Sequence, residues 1–341
     1  MDSQVFILNE KRNVTLTAYL QGDSQEFWRA KKRPAVVIFP GGAYAYCSDR
    51  EADPVAQEYL RAGYHAFVLR YSVGWENAVW PNPLEDYDQA MELIAAHAKE
   101  WHLIPEKIAV IGFSAGGHLA ACAATMAKHR PAAAILAYPV ILEGLAAICA
   151  KGAPGADKAV DSQTCPCFIA ATGTDTMVSA MNSLRFVEAL YENGISAELH
   201  LYAFGPHGFS TARTSIADPV ELCSRTLHWV EDSISWLEDV FGAFTSGEMS
   251  SPRCPGRVRK DKDPYLSVDC LLATIAGNQI AVERLNQLIL VEETTQKWIA
   301  EQKENLLTSE MTLRSALQFL NVPGEVIRKA DEILSEIPNR K

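Results

Sequence analysis

The sequence predicts a doubly wound α/β domain on a mostly parallel sheet, followed by an all-helical appendage. Three observations carry this expectation. Strand-like and helix-like segments alternate from the start of the chain to about residue 242. Several of the strand-like segments are near-continuous apolar runs, as parallel strands covered on both faces require. Beyond residue 264 only a helical period remains.

The elements follow in order. "VTLTAYL" and "PAVVIFP" read as strands, Asp53–Ala62 as a helix, and "YHAFVLRY" as the next strand. A helix over Leu84–Glu100 precedes the strand "KIAVIGF". An alanine-rich helix over Ala115–Lys128 then precedes "AAAILAYP". The strand "PCFIAATG", a helix over Val178–Asn193, the strand "AELHLYA" and a helix near Val220–Val240 close the domain, set at residues 1–244. The segment 245–264, "TSGEMSSPRCPGRVRKDKDP", is polar and rich in Ser, Pro and Gly, and reads as a linker. Residues 265–341 form the helical region, where Val326, Ala330, Ile333 and Ile337 recur at helical spacing, as do Leu313, Ala316 or Leu317, and Leu320. Such faces must be buried. A small bundle, docking on the main domain, or a homo-oligomer through this region would each bury them.

Composition bounds the function. A chain of 341 residues that is 48% hydrophobic and 21% charged can bury a sizeable core. Its net charge of −11 disfavours nucleic acid and anionic membrane surfaces as partners. The tail from Ser251 carries as many basic as acidic residues, so the first 250 hold the whole excess. "MDSQVFILNEKR" shows no basic n-region or long apolar stretch, so a cytoplasmic location is expected. The eight cysteines show no framework spacing, and "CPC" is neither a redox CxxC nor half a zinc site; reduced thiols are expected.

"KIAVIGFSAGGHLAACAATMAK" is long enough to cross a bilayer, but its glycines, Ser114 and His118 break it into strand, tight turn and helix. No membrane span is expected there. At that turn "GFSAG", Gly112–Gly116, fits G-x-S-x-G in the strand-to-helix context the motif requires. Glycines two residues either side of the serine give room where strand and helix pass close, and the helix start adds positive dipole. A serine needs a base, and the base needs an orienting acid, which follow in the order serine, acid, histidine. Among the downstream histidines, His118, His129, His200 and His228 lie in or at the end of regular elements. His207, in "FGPHGFS", lies on a loop beyond the last strand. Asp175, directly after "PCFIAATG", is the expected acid, with Asp157, Asp161 and Asp218 as alternatives. The backbone amide of Ala115 and the "PGGAY" loop, with Gly41 and Gly42, can supply an oxyanion hole.

These residues resemble the α/β-hydrolase-fold esterases related to acetylxylan esterases and feruloyl-esterase-like carboxylesterases. The resemblance covers roughly residues 30–240 and rests on "PGGAYAYCSDREADPVAQEYLRAGYHAFVLRYSVG", "GFSAGGHLAA", "TGTDTMV" and "HLYAFGPHGFS". It implies Ser114 as nucleophile, Asp175 as acid, His207 as base, and Gly42 with Ala115 as oxyanion donors. Gly41, Ala43 and Tyr44 are candidates for further oxyanion-loop or substrate contacts. The implied activity is that of a serine carboxylesterase acting through an acyl-enzyme on short-chain esters, acetyl above all, of sugars or xylo-oligosaccharides. It calls for no metal or organic cofactor. Tyr44, Tyr46, Trp75 and Trp80 are candidates to stack on sugar rings. The chain departs from the family pattern at Ala43, where a third glycine is common, and in the short alanine-rich stretch Leu142–Thr164. A peptidase or lipase on the same fold, and a catalytically silent binding protein, are the alternatives.

Overall fold

The computed structural model describes residues 2–288 and 301–339, and in it the alternating segments form one eight-stranded sheet. The strands are β1 (Asp2–Asn9), β2 (Val14–Leu20), β3 (Arg33–Phe39), β4 (His65–Arg70), β5 (Leu103–Phe113), β6 (Ala133–Ala137), β7 (Cys167–Thr172) and β8 (Ala197–Tyr202), in spatial order β1-β2-β4-β3-β5-β6-β7-β8. β1 with β2 and β2 with β4 pair antiparallel; every other pair is parallel. The sequence reading did not anticipate β1. It is an edge strand whose Val5 and Ile7 face outward, 65% and 64% exposed, so its apolar residues do not mark a buried run.

Strand periodicity explains why the central strands read as continuous apolar runs. Val37 and Phe39 of β3 pack with α2 (Asn82–Ala96), α3 (Ala115–Met126) and α5 (Met181–Glu192). Their neighbours Val36 and Ile38 pack on the opposite face with α1 (Asp53–Arg61) and α6 (Trp229–Phe241). Both faces are therefore dry, and both sets must be apolar. The expected helix near Val220 begins only at Trp229. Before it, Pro219–Glu221 and Ser224–His228 form short 3-10 turns, separated by extended Leu222 and Cys223, which are only 4% and 1% exposed. Anchoring those two side chains breaks the helical path.

The parallel strands end together at one edge of the sheet. The loops after β3, β5, β7 and β8 all leave from that edge, where an open α/β sheet places its ligand. No helix among the described residues is long and apolar enough to cross a membrane.

The chain divides into two compact units, Met1–Gly256 and Arg257–Lys341. The division falls inside the segment read as a linker. The second unit has its own apolar core, built from Leu266, Val268, Ile275, Leu285, Leu313, Leu317 and the last helix, Gly324–Leu334. On that helix the buried stripe is Ile327, Ala330 and Leu334, continued by Ile337; the expected Val326 and Ile333 flank it half-buried. Part of the expected helical region, residues 289–300, lies outside the described residues.

Two imidazoles are sealed in the first unit. His65 accepts the Gln21 amide on Nδ1 (3.1 Å) and donates from Nε2 to the Trp101 carbonyl (2.8 Å). His118 accepts the Tyr44 hydroxyl on Nδ1 and donates from Nε2 to the Pro154 carbonyl, each at 2.8 Å. Burial pushes both down from 6.5 to about 4. Each stays neutral in the fold but takes up a proton near 6.5 once unfolded. Their stabilisation is therefore complete above that pH and lost as pH falls towards about 4. Urea unfolding measured from pH 7 to pH 4 should show stability falling through this window, by on the order of 3 kcal/mol per imidazole.

Candidate active site

The site starts from a reversal of the backbone. β5 ends at Phe113, α3 begins at Ala115, and Ser114 alone makes the turn, with φ 52° and ψ −115°. A positive φ is uncommon for a side chain with a Cβ and costs on the order of 1–3 kcal/mol unless the surroundings impose it. They do. The Ser114 amide donates to the Ala137 carbonyl (3.0 Å), and its carbonyl accepts the amides of Val140 (3.0 Å) and His118 (3.1 Å). The flanking glycines answer the crowding: a Cβ on Gly112 would overlap the Gly116 carbonyl, and one on Gly116 would overlap the Phe39 carbonyl.

The loops after β7 and β8 bring two more side chains to this turn. His207 Nε2 lies 2.9 Å from Ser114 Oγ, and its Nδ1 lies 2.6 Å from Asp175 Oδ2. Asp175, a carboxylate, can only accept, so Nδ1 carries the proton and Nε2 is free to accept the serine hydroxyl. The other Asp175 oxygen accepts the amides of Met177 (2.8 Å) and Val178 (2.9 Å). Burial raises the Asp175 carboxyl, but the bond to His207 and these two amides outweigh it and hold the group below its ordinary value. The two loops are stitched together at Gly205: Thr172 and Thr174 hydroxyls donate to its carbonyl, and its amide donates to Thr174 Oγ1 (3.0 Å).

Of the other candidates, Asp157 opens the 3-10 turn Asp157–Ala159 and His228 ends the turn Ser224–His228, and the rest are engaged elsewhere. Asp161 pairs with Arg130, and Asp218 caps the Val220 amide. His129 faces Glu92, His200 faces Glu198, and His118 is the buried imidazole described above.

The loop after β3 lies against the elbow. Gly42, Ala43 and Tyr44 take φ of 126°, 53° and 57°, and the loop closes with Ala45 and Ser48 amides donating to the Gly42 and Gly41 carbonyls (2.8 and 3.0 Å). The Gly41 amide is spent on Glu51 Oε2 at 2.8 Å, which removes it as an oxyanion donor. No described residue takes the Gly42 amide, and Ala115 opens α3, where the first amides have no acceptor within the helix. Tyr44 does not offer the substrate contact expected of it. It is 1% exposed, bonded to His118 and packed edge-on against Tyr71 at 5.5 Å. Trp80 packs on His118 at 5.5 Å, whereas Tyr46 and Trp75 are 60% and 77% exposed.

Two residues that sequence reasoning passed over complete the surroundings. Glu51 stands in "SDRE", which reads as a solvated loop, yet it is 2% exposed. Tyr138 follows β6 with φ 38°; its hydroxyl donates to Glu51 Oε1 (2.8 Å) and accepts the Ser210 amide (2.9 Å), and its ring lies 5.0 Å from that of His207. No spacing in the sequence signals either. Among the described residues no cluster of three His, Cys, Asp or Glu side chains is placed to hold a metal ion. The arrangement can draw a proton from a serine hydroxyl and can place two amides where a carbonyl oxygen would gain charge.

Known proteins share this framework. The BD-FAE family matches residues 27–140, a span holding the loop after β3, Glu51 and Ser114 but not Asp175 or His207. Endo-1,4-beta-xylanase B of Butyrivibrio fibrisolvens is 31% identical over 229 residues, covering 58% of this chain and 35% of that protein. The acetylxylan esterase of Xylanibacter ruminicola is 29% identical over 197 residues, covering 51% and 41%. The chain thus spans about two fifths or less of the length of these curated relatives. Among solved structures, MGS-M1, an alpha/beta hydrolase enzyme from a Medee basin deep-sea metagenome library, is 41% identical with a TM-score of 0.64, covering 70% of this chain and 98% of that one.

The crowding at the elbow predicts a contrast between two glycines. Gly116→Ala should destabilise the fold by at least ~1–3 kcal/mol in urea unfolding, because the added carbon meets backbone. Gly144→Ala, a helical site with open space around it, should be neutral or slightly stabilising.

Proposed function

Because the chain belongs to the α/β-hydrolase family, we propose that it is a serine carboxylesterase acting on short-chain acyl esters, acetyl above all, carried by sugars or xylo-oligosaccharides. The observation that carries this reading is the unbroken relay from Ser114 Oγ through His207 to Asp175, at 2.9 and 2.6 Å. In the proposed reaction Ser114 attacks the ester carbonyl as His207 Nε2 takes its proton. Asp175 holds the imidazole in the required tautomer and stabilises the imidazolium. The Gly42 and Ala115 amides receive the oxyanion, a contact that strengthens only as charge develops. The imidazolium then protonates the departing alcohol, and a water activated by His207 releases the acid.

The substrate class is supported by the relative named as an acetylxylan esterase and by the exposed rings of Tyr46 and Trp75. Tyr46 lies within the loop after β3. Trp75 follows Gly74, whose amide donates to the Tyr44 carbonyl of that loop (2.8 Å). Both rings offer faces to a sugar at the rim.

Ser114→Ala should abolish hydrolysis of p-nitrophenyl acetate while leaving the melting temperature nearly unchanged; retained hydrolysis would remove the nucleophile assignment. Asp175→Asn should lower kcat by roughly 10³–10⁴, since the wrong tautomer then faces the serine. A series of p-nitrophenyl esters of rising chain length, run beside acetylated xylo-oligosaccharides, should show kcat/KM falling beyond short acyl groups. For the second unit we propose self-association. A chain ending at Gly256 should hydrolyse p-nitrophenyl acetate as the full chain does but sediment at a lower order of assembly; an equal order in both would reject that role.

A further inference from the structure

We propose that Glu51 is a positioning residue that holds the oxyanion loop and the base loop in one register with the nucleophile. The proposal rests on the esterase reading above. A carboxylate with its side chain 3% exposed needs strong partners, because an unpaired buried charge is costly. The Arg50 cation does not repay it: its Nε stands 4.0 Å from Oε1, and its side chain is half exposed. The strong partners are two neutral donors, the Gly41 amide and the Tyr138 hydroxyl, each at 2.8 Å and each strengthened by the carboxylate's charge.

Each donor belongs to a different wall of the site. The Gly41 bond fixes the Pro40–Gly41 peptide, one step before the peptide that carries the Gly42 amide, a proposed oxyanion donor. The packing there is tight: a Cβ on Gly41 would stand 2.7 Å from Glu51 Oε2, 2.8 Å from the Phe113 carbonyl and 3.1 Å from Ser114 Cβ. Gly41 is thus wedged between Glu51 and the nucleophile's own turn. On the other side, the Tyr138 hydroxyl that donates to Glu51 also accepts the amide of Ser210, three residues after His207. Ser210 Oγ in turn donates to the carbonyl of Arg50, the residue before Glu51 (2.5 Å). The Tyr138 ring meets the His207 ring edge-on at 5.0 Å and that of Phe209 at 4.5 Å. One carboxylate therefore sets both the donor that meets the oxyanion and the loop that carries the base, without touching the reacting atoms.

Glu51→Gln tests this. The amide side chain has the shape of the carboxylate but no charge, and it presents an N–H where one acceptor oxygen stood: with its oxygen on the Gly41 amide, it meets Tyr138 only if that hydroxyl stops donating and accepts a second N–H beside that of Ser210. The expected result is a kcat for p-nitrophenyl acetate lower by about 10- to 100-fold, short of deleting a donor outright, with KM within about threefold. Active-site concentration is fixed by the p-nitrophenol burst. Tyr138→Phe, which keeps the ring and the Gly41 bond, should lose less. A Glu51→Gln protein with wild-type kcat per burst-competent site, whatever its melting temperature, would overturn the proposal and leave Glu51 a structural residue. If the wild-type chain hydrolyses no ester, the esterase reading fails by itself, and hydrogen exchange at the Gly41 amide decides the Glu51 proposal. Faster exchange in Glu51→Gln supports the brace, and unchanged exchange overturns it.

Discussion

The site depends on one constraint: a parallel strand and the helix that follows it must meet at Ser114 with a single residue between them. That demand fixes the positive φ of Ser114, excludes a Cβ at Gly112 and Gly116, and presents the hydroxyl at the sheet's carboxyl edge. The strain is held in place by bonds to β6 and to the chain beyond it, from Ala137 and Val140. Those bonds exist only because β5 and β6 are in register across the core, Gly112 opposite Leu136 and Phe113 opposite Ala137. The apolar runs that build the sheet thus also aim the Ser114 hydroxyl.

The remaining parts are brought in by loops, and each loop is fastened to another loop. Thr172 and Thr174 bind the loop of Asp175 to Gly205 of the loop of His207. Tyr44 and His118 anchor the loop after β3 to α3, and Gly74 takes its carbonyl. Glu51 and Tyr138 join that loop to the loop of His207. Geometry that would be loose on isolated loops is therefore shared among the loops after β3, β4, β6, β7 and β8.

Residues whose chemistry depends on local spacing were legible in the sequence. The elbow was, because glycine, serine and glycine at fixed offsets between a strand and a helix leave few other uses. Asp175 and His207 followed from chain order and from their places just beyond strands, and they meet at 2.6 Å. Glu51, Tyr138 and the fate of Tyr44 were not legible, since their burial is created by chain segments distant in sequence. Glu51 sits among charged neighbours and is sealed by Tyr138, 87 residues away. Tyr44 reads as a loop aromatic until His118 and Tyr71 enclose it. The same limit explains the fold. The short apolar run of β1, Val5–Leu8, lies on an edge where Val5 and Ile7 stay exposed, and the late start of α6 follows buried Leu222 and Cys223 rather than the helical period.

Reaction of the intact chain with a fluorophosphonate, followed by peptide mass mapping, tests the central claim most directly. A relay that draws the proton from Ser114 predicts one phosphonyl adduct per chain, on the peptide containing Ser114, formed far more slowly once His207 is replaced by alanine. An adduct on any other residue, or an undiminished rate without the imidazole, would contradict it.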